Sequence, residues 1–128
     1  MGRPQPRPTD AELAILRVLW ERGASTVRQV HEALAETRDT GYTTTLKLMQ
    51  IMADKGLVKR NETARTHVYS AMAGQEQTQR QLVQDLMDRA FGGSAAQLVL
   101  RALSAEGATD AELKEIRKLI DDYREKRQ

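Results

Sequence analysis

Apolar residues return every three or four positions in "TDAELAILRVLWERG", where Leu13, Leu16, Leu19 and Trp20 mark one helical face. Such spacing predicts a first helix. Thr9 with Glu12 three residues later predicts a capping box at its start, and Gly23 a stop at its end. "STVRQVHEALAETRD" predicts a second helix, with Thr26 and Gln29 as another capping box and Val27, Val30, His31 and Leu34 as the apolar stripe. His31 reads as a half-buried part of that core. After the break "DTGY", the stretch "GYTTTLKLMQIMADKGLVKR" divides into two sides on a helical wheel. Thr45, Leu48, Met49 and Met52 fall on one, and Thr43, Lys47, Gln50 and Asp54 on the other. Thr44, Leu46 and Ile51 flank them, and Gly56 stops the helix.

The pattern then changes. Leu57 to Arg60 lead into a polar break over Asn61–Arg65, and His67, Val68, Tyr69 and Ser70 lead out. That order predicts a β-hairpin with a basic tip, although its turn holds no glycine. From residue 74 helical spacing resumes. Leu82, Val83, Leu86 and Ala90 mark a fourth helix, and "FGG" ends it. Ser94 opens a fifth, with Leu98, Val99, Ala102 and Leu103. A sixth carries Leu113, Ile116, Ile120 and Tyr123, spaced three, four and three, which predicts an a/d seam. "TDAEL" occurs at 9–13 and again at 109–113, two uses of one good helix start, since the residues that follow diverge.

A chain of 128 residues suits one or two small domains. Aromatic residues are scarce, one Trp, one Phe and three Tyr, so the core rests on aliphatic side chains and favours helices. There is no cysteine, which excludes disulfides, thiolate metal sites and cysteine nucleophiles. Two distant histidines, His31 and His67, make a poor start for a metal site, so neither metal nor cofactor is expected. No apolar run is long enough to span a bilayer and no signal peptide is visible, so a cytoplasmic, nucleoid-associated protein without membrane insertion is expected. Charge is uneven. Residues 1–73 carry 11 Lys/Arg against 8 Asp/Glu, and residues 74–128 carry 9 against 10, which directs any polyanion to the first part.

Three short helices followed by a basic hairpin is the order of a winged helix-turn-helix. The third helix then packs one face on the first two and offers the other to the DNA major groove. Thr43, Thr44 and Gln50 can donate to or accept from base edges, and Lys47 reaches a guanine edge or a phosphate. Small residues at the helix N-terminus let backbone N–H groups approach a phosphate. Leu46 and Ile51 face either thymine methyls or the hairpin. Asp54, repelled by phosphate, lies at the far end. The hairpin offers Lys59, Arg60 and Arg65, and Arg28 adds a backbone contact from the second helix. "MGRPQPRP" reads as a flexible arm whose Arg3 and Arg7 are further candidates for the phosphates or minor groove. An enzyme is not supported. Ser94 has no histidine near it in sequence and sits in a helix cap, and adjacent Asp121 and Asp122 point to different sides of a helix.

These residues resemble a known group. "TDAELAILRVLW", "TVRQVHEAL", "GYTTTLKLMQIMADKGLVKR" and "HVYSAM" are similar to the penicillinase-repressor family of bacterial transcription regulators (the BlaI/MecI/CopY type), and "AFGGSAAQLVLRAL" resembles the segment joining that family's dimerisation helices. The resemblance covers residues 9 to about 123. It implies a dimeric winged-helix repressor of palindromic promoter operators, often of β-lactamase, cell-wall or copper-handling genes. Carried over by position, the recognition helix is Thr43–Lys55, with Thr43, Thr44 and Lys47 as contacts and Arg65 on the wing. A membrane receptor-protease or another inactivating protease is an implied partner. Two departures stand out. The cysteine pairs of copper-responsive members are absent, and the bond aligned with the family's Asn–Phe-like cleavage site is Arg101–Ala102.

The expected architecture is mainly α with a small β-hairpin wing. It comprises a flexible arm over 1–8, a winged-helix DNA-binding domain over 9–73 and a helical dimerisation domain over 74–128. Candidate contacts to a double-stranded DNA operator are Arg28, Tyr42, Thr43, Thr44, Lys47, Gln50, Arg60 and Arg65. Candidate homodimer contacts are Leu98, Val99, Leu103, Leu113, Ile116, Ile120 and Tyr123. Two alternatives stay open. One is a ligand-sensing winged-helix regulator of the multidrug-regulator type, to which Met72, Met87 and Phe91 would contribute a pocket. The other is a helical interaction module without DNA binding.

Overall fold

The structure, a computed structural model, describes residues 7–105 and 107–127. Of the expected arm, only Arg7 and Pro8 fall within those residues; Arg3 lies outside them. The elements run α1 (Asp10–Arg22), β1 (Ser25–Thr26), α2 (Val27–Ala35), α3 (Tyr42–Lys55), β2 (Val58–Asn61), β3 (Val68–Ala71), α4 (Gln75–Ala90), α5 (Ala95–Ala105) and α6 (Asp110–Arg127). The chain forms two compact units, the first ending at Arg80 and the second beginning at Gln81. The change falls inside α4, seven residues beyond the expected boundary, because the first turn of α4 belongs with the first unit and buries Thr78.

Local chemistry explains the helix starts of the first unit. The Thr9 hydroxyl accepts from the Glu12 N–H at 3.2 Å, and the Glu12 carboxylate accepts from the Thr9 N–H at 2.9 Å. Thr26 and Gln29 repeat this reciprocal cap at the start of α2. Helix α3 has Gly41 at its N-cap with no side-chain cap, and Thr45 instead turns its hydroxyl back to the Gly41 carbonyl at 3.1 Å. Gly56 ends α3 in the left-handed region at φ 83°, where the Gly56 N–H bonds the Ala53 carbonyl and the Leu57 N–H bonds the Met52 carbonyl. Glycine takes that conformation without a Cβ clash.

One core joins these elements. Ile15, Leu16 and Leu19 of α1, Val27, Val30 and Leu34 of α2, and Met49 and Met52 of α3 pack with Leu57, Val58, Tyr69 and Ala73. Thr45 is fully buried on the same side of α3, while Leu48 and Leu46 are half-buried against the cluster. Leu46 packs in part against this core. His31 is half-buried on α2, as its place in the apolar stripe predicts.

The hairpin is part of a three-stranded antiparallel sheet ordered β1–β3–β2. Strand β1 was not expected, since two residues are too few to show alternation. Ser25 pairs with Tyr69 and Thr26 with Val68, tying the start of α2 to the central strand. The turn forms without glycine because the Asn61 side-chain oxygen accepts from both the N–H and the hydroxyl of Thr63, at 2.9 and 2.8 Å.

An ion pair between a buried carboxylate and a partly exposed ammonium links α1 to α3. Glu12 is 2% exposed, and Lys55 Nζ lies 2.9 Å from both of its carboxylate oxygens. Burial works to raise the Glu12 pKa. The Thr9 N–H, the Lys55 ammonium and the Thr9 hydroxyl together outweigh it and hold the carboxyl below its ordinary value.

In the second unit Ser94 caps α5 through the Gln97 N–H, and Thr109 caps α6 through the Glu112 N–H. No side chain described from Gln81 onward is buried.

Glu12→Gln keeps the capping geometry and loses the charge, so chemical denaturation at pH 7 is expected to show a loss of about 1–2 kcal/mol. Lys55→Met leaves the carboxylate without its cation and, since the ammonium is partly exposed and screened by solvent, is expected to cost about 1–2 kcal/mol. Because the folded Glu12 pKa is lowered, the pair stabilises the fold fully above the ordinary value of 4.5, and that contribution is lost as pH falls through the lower folded value. Acid denaturation of Glu12→Gln is expected to be shallower over that window; an unchanged acid limb would show that other carboxylates control it.

Candidate nucleic-acid interface

Helix α3 is held along one side, and the opposite side is bare. Thr43, Thr44, Lys47 and Gln50 are all exposed, as are Tyr42 at the entry and Asp54 in the last turn. Their exposure follows from the burial of Thr45, Met49 and Met52, which leaves positions half a turn away facing solvent. From Tyr42 to Gln50 there is no acidic residue. The first N–H groups of the helix, uncapped by any side chain, have no intrahelical partners and carry the positive end of the dipole. The N-terminal half of α3 is thus polar, cationic at Lys47, and rich in outward donors.

The other end differs. An open groove between α3 and the hairpin is lined by Gln50, Ala53, Asp54, Arg60 and Glu62. Arg60 stands opposite Tyr69 across the β2–β3 pair and forms an ion pair with Glu62. The Tyr69 hydroxyl and then Glu62 raise the guanidinium pKa above its ordinary value. Glu62 is a partner that charge counting along the sequence did not single out; its position two residues from Arg60, at the strand end, is the available signal. Asp54 and Glu62 make this end less favourable for phosphate than the helix N-terminus.

Arg65 lies exposed in the turn between β2 and β3, and Lys59 and His67 are exposed on the hairpin. Arg28 is exposed in the first turn of α2. The Tyr42 ring meets His31 edge-on, with centroids 5.9 Å apart and planes at 85°, which orients Tyr42 at the mouth of α3. Arg28, Tyr42, Thr43, Thr44, Lys47, Gln50, Arg60 and Arg65 all lie on exposed surface, on α2, α3 and the hairpin.

The candidate homodimer residues differ in exposure within the second unit. Leu98, Leu103 and Ile116 are half-buried, while Val99, Leu113, Ile120 and Tyr123 are exposed, Tyr123 at 64%. Leu100 and Leu119, outside the expected set, are also exposed, as are Val83 and Leu86 on α4. Arg101 and Ala102 sit on exposed positions of α5. Among the described residues, no group of acidic or histidine side chains could hold a metal ion, and no helix is long and apolar enough to cross a membrane.

Comparison with known proteins agrees with this geometry. The penicillinase repressor family model matches residues 8–122. The transcriptional regulator BlaI of Mycobacterium tuberculosis is 35% identical over 105 residues, covering 80% of this chain and 76% of that protein. The penicillinase repressor of Bacillus licheniformis is 19% identical over 122 residues, covering 95% of each. In fold, the chain matches the solution structure of the DNA-binding domain of the repressor BlaI, with a TM-score of 0.52 at 21% identity, over 59% of this chain and 93% of that one. It also matches the Bacillus licheniformis BlaI monomeric form in complex with the blaP half-operator, with a TM-score of 0.51 at 22% identity, over 58% of this chain and 90% of that one. The first unit is a winged helix, and with the family model spanning nearly its whole length the chain belongs to the penicillinase-repressor family.

Proposed function

We propose that the protein is a sequence-specific DNA-binding transcriptional repressor that acts as a homodimer on palindromic operators. The observation that carries this reading is the bare face of α3, with Thr43, Thr44, Lys47 and Gln50 exposed beside an uncapped helix N-terminus and a hairpin bearing Arg65. A major groove admits such a helix. Thr and Gln side chains read base edges, Lys47 reaches a guanine or a phosphate, and the first-turn N–H groups fix a phosphate. Arg65 and Arg28 add backbone contacts on either side, and Tyr42 orients at the entry. Arg60, already paired with Glu62, is a further cation on the wing. A Bacillus licheniformis relative of the same fold has been captured on a half-operator, which supports DNA binding by this fold.

The dimer follows from the second unit. Its helices leave Val83, Leu86, Val99, Leu100, Leu113, Leu119, Ile120 and Tyr123 exposed, and no side chain described in it is buried. A unit of that size without buried side chains lacks the apolar burial that ordering a chain requires. A second copy supplies the missing surface, and two-fold symmetry then matches a palindromic site. β-Lactamase and cell-wall stress genes are the target class that family membership favours. Residues 74–128 serve dimerisation and residues 9–73 DNA recognition.

The deciding experiment is selection of fragments from the source genome with purified protein at two salt concentrations. An enriched palindrome that is lost at high salt is expected; no enrichment at either concentration would favour an interaction module. On the selected site, Lys47→Ala and Arg65→Ala are expected to weaken binding about tenfold each without change in thermal unfolding, and each phosphate contact removed lowers the salt slope by about one. Equal affinity of both variants and the parent would rule out this docking. A fragment ending at Arg80 is expected to be a folded monomer with weak half-site binding, checked by sedimentation; a stable dimer of that fragment would place the self-association elsewhere.

A further inference from the structure

The cations of the first unit that are candidates for DNA contact are not equally available. Among the described residues, Arg28, Lys47 and Arg65 make no ion pair, whereas Arg60 is paired with Glu62. That pair stands in the groove between α3 and the hairpin, beside Gln50 and Asp54 of α3. The charge of Arg60 is thus answered within the protein before any DNA arrives.

Local structure places Glu62 there. The β2–β3 ladder sets Arg60 opposite Tyr69 and Asn61 opposite Val68. Just past the end of β2, the Asn61 side-chain oxygen accepts from the Thr63 N–H and hydroxyl, at 2.9 and 2.8 Å. This closes the backbone around Glu62 and fixes its position two residues beyond the cation it meets. Because Glu62 belongs to the same hairpin, its carboxylate is presented to Arg60 at a high effective concentration. The pair is nevertheless open to exchange. The Arg60 side chain is 38% exposed and that of Glu62 is 55% exposed, and such solvent-screened pairs are weak. A phosphate brought to the wing by a docked α3 can therefore compete for the guanidinium.

We propose that Glu62 is an intramolecular competitor for DNA phosphate at Arg60, and that it thereby sets how tightly the wing holds the DNA backbone. This rests on the reading of the chain as a DNA-binding repressor. Glu62 touches no DNA in this account; it acts through Arg60. A phosphate contact carries no sequence information, so Glu62 tunes affinity and leaves base preference to the face of α3.

The test uses the full-length protein and two duplexes, each long enough for one reading head. One carries the half-site obtained by genomic selection and the other a scrambled sequence of the same length. Affinity is measured over a series of salt concentrations for the parent, Glu62→Gln, Arg60→Gln and the double variant. Glu62→Gln is expected to tighten binding to both duplexes about fivefold and to steepen the salt slope by about one, as one more phosphate is neutralised. Glu62→Ala, which offers Arg60 no side-chain acceptor, is expected to do the same. Arg60→Gln is expected to cost less than about twofold in the parent and about fivefold in the Glu62→Gln background. An unchanged affinity in Glu62→Gln and Glu62→Ala overturns the proposal and leaves DNA binding standing. An equal gain from Glu62→Gln with and without Arg60 also overturns it, because Glu62 would then act by overall charge. A gain or loss confined to the half-site duplex overturns it as well, because Glu62 would then take part in reading bases. A parent that binds neither duplex overturns the repressor reading and this proposal with it.

Discussion

Thr45, Met49 and Met52 bury one side of α3 in the core, and Lys55 pins its last turn to the buried carboxylate of Glu12. The other features of the first unit depend on that one-sided grip. A helix buried all round could offer nothing to a partner, and one exposed all round would not hold its direction. With the grip on one side, Thr43, Lys47 and Gln50 are presented on a rigid rod. The ion pair is an unusual clamp, because burying a carboxylate is unfavourable unless hydrogen bonds and a cation offset it. Glu12 meets both conditions, and the same carboxylate caps α1.

The two ends of α3 are chemically unlike each other. The N-terminal half carries no acid, an uncapped start and Lys47. The C-terminal end faces a groove with Asp54, Glu62 and an Arg60 already paired. Phosphate is attracted to the first and resisted at the second, so the helix has a polarity for docking beyond the shape of its face. The short strand β1 strengthens this arrangement by tying the start of α2 to the central strand that also carries Tyr69, the partner of Arg60.

The second unit follows a different logic. Its helices are capped by Ser94 and Thr109 and separated by glycines in the left-handed region, so each helix is locally well specified. Their apolar positions nevertheless remain in solvent in a single chain. Local specification without burial is the ground on which the dimer is proposed.

Sequence alone determined the helices, both capping boxes, the hairpin and the outward set on α3. Each of these rests on interactions within about four residues or on a periodicity that the chain displays directly. It also identified the family, through motifs that run along single elements. Tertiary structure decided the rest. The pairing of Glu12 with Lys55 spans 43 positions and that of Trp20 with Ala73 spans 53, and no local pattern encodes which distant side chain a buried group will meet. Strand β1 is two residues long and exists because β3 offers its edge there. The first compact unit ends at Arg80, inside α4, at a point that no local pattern marks.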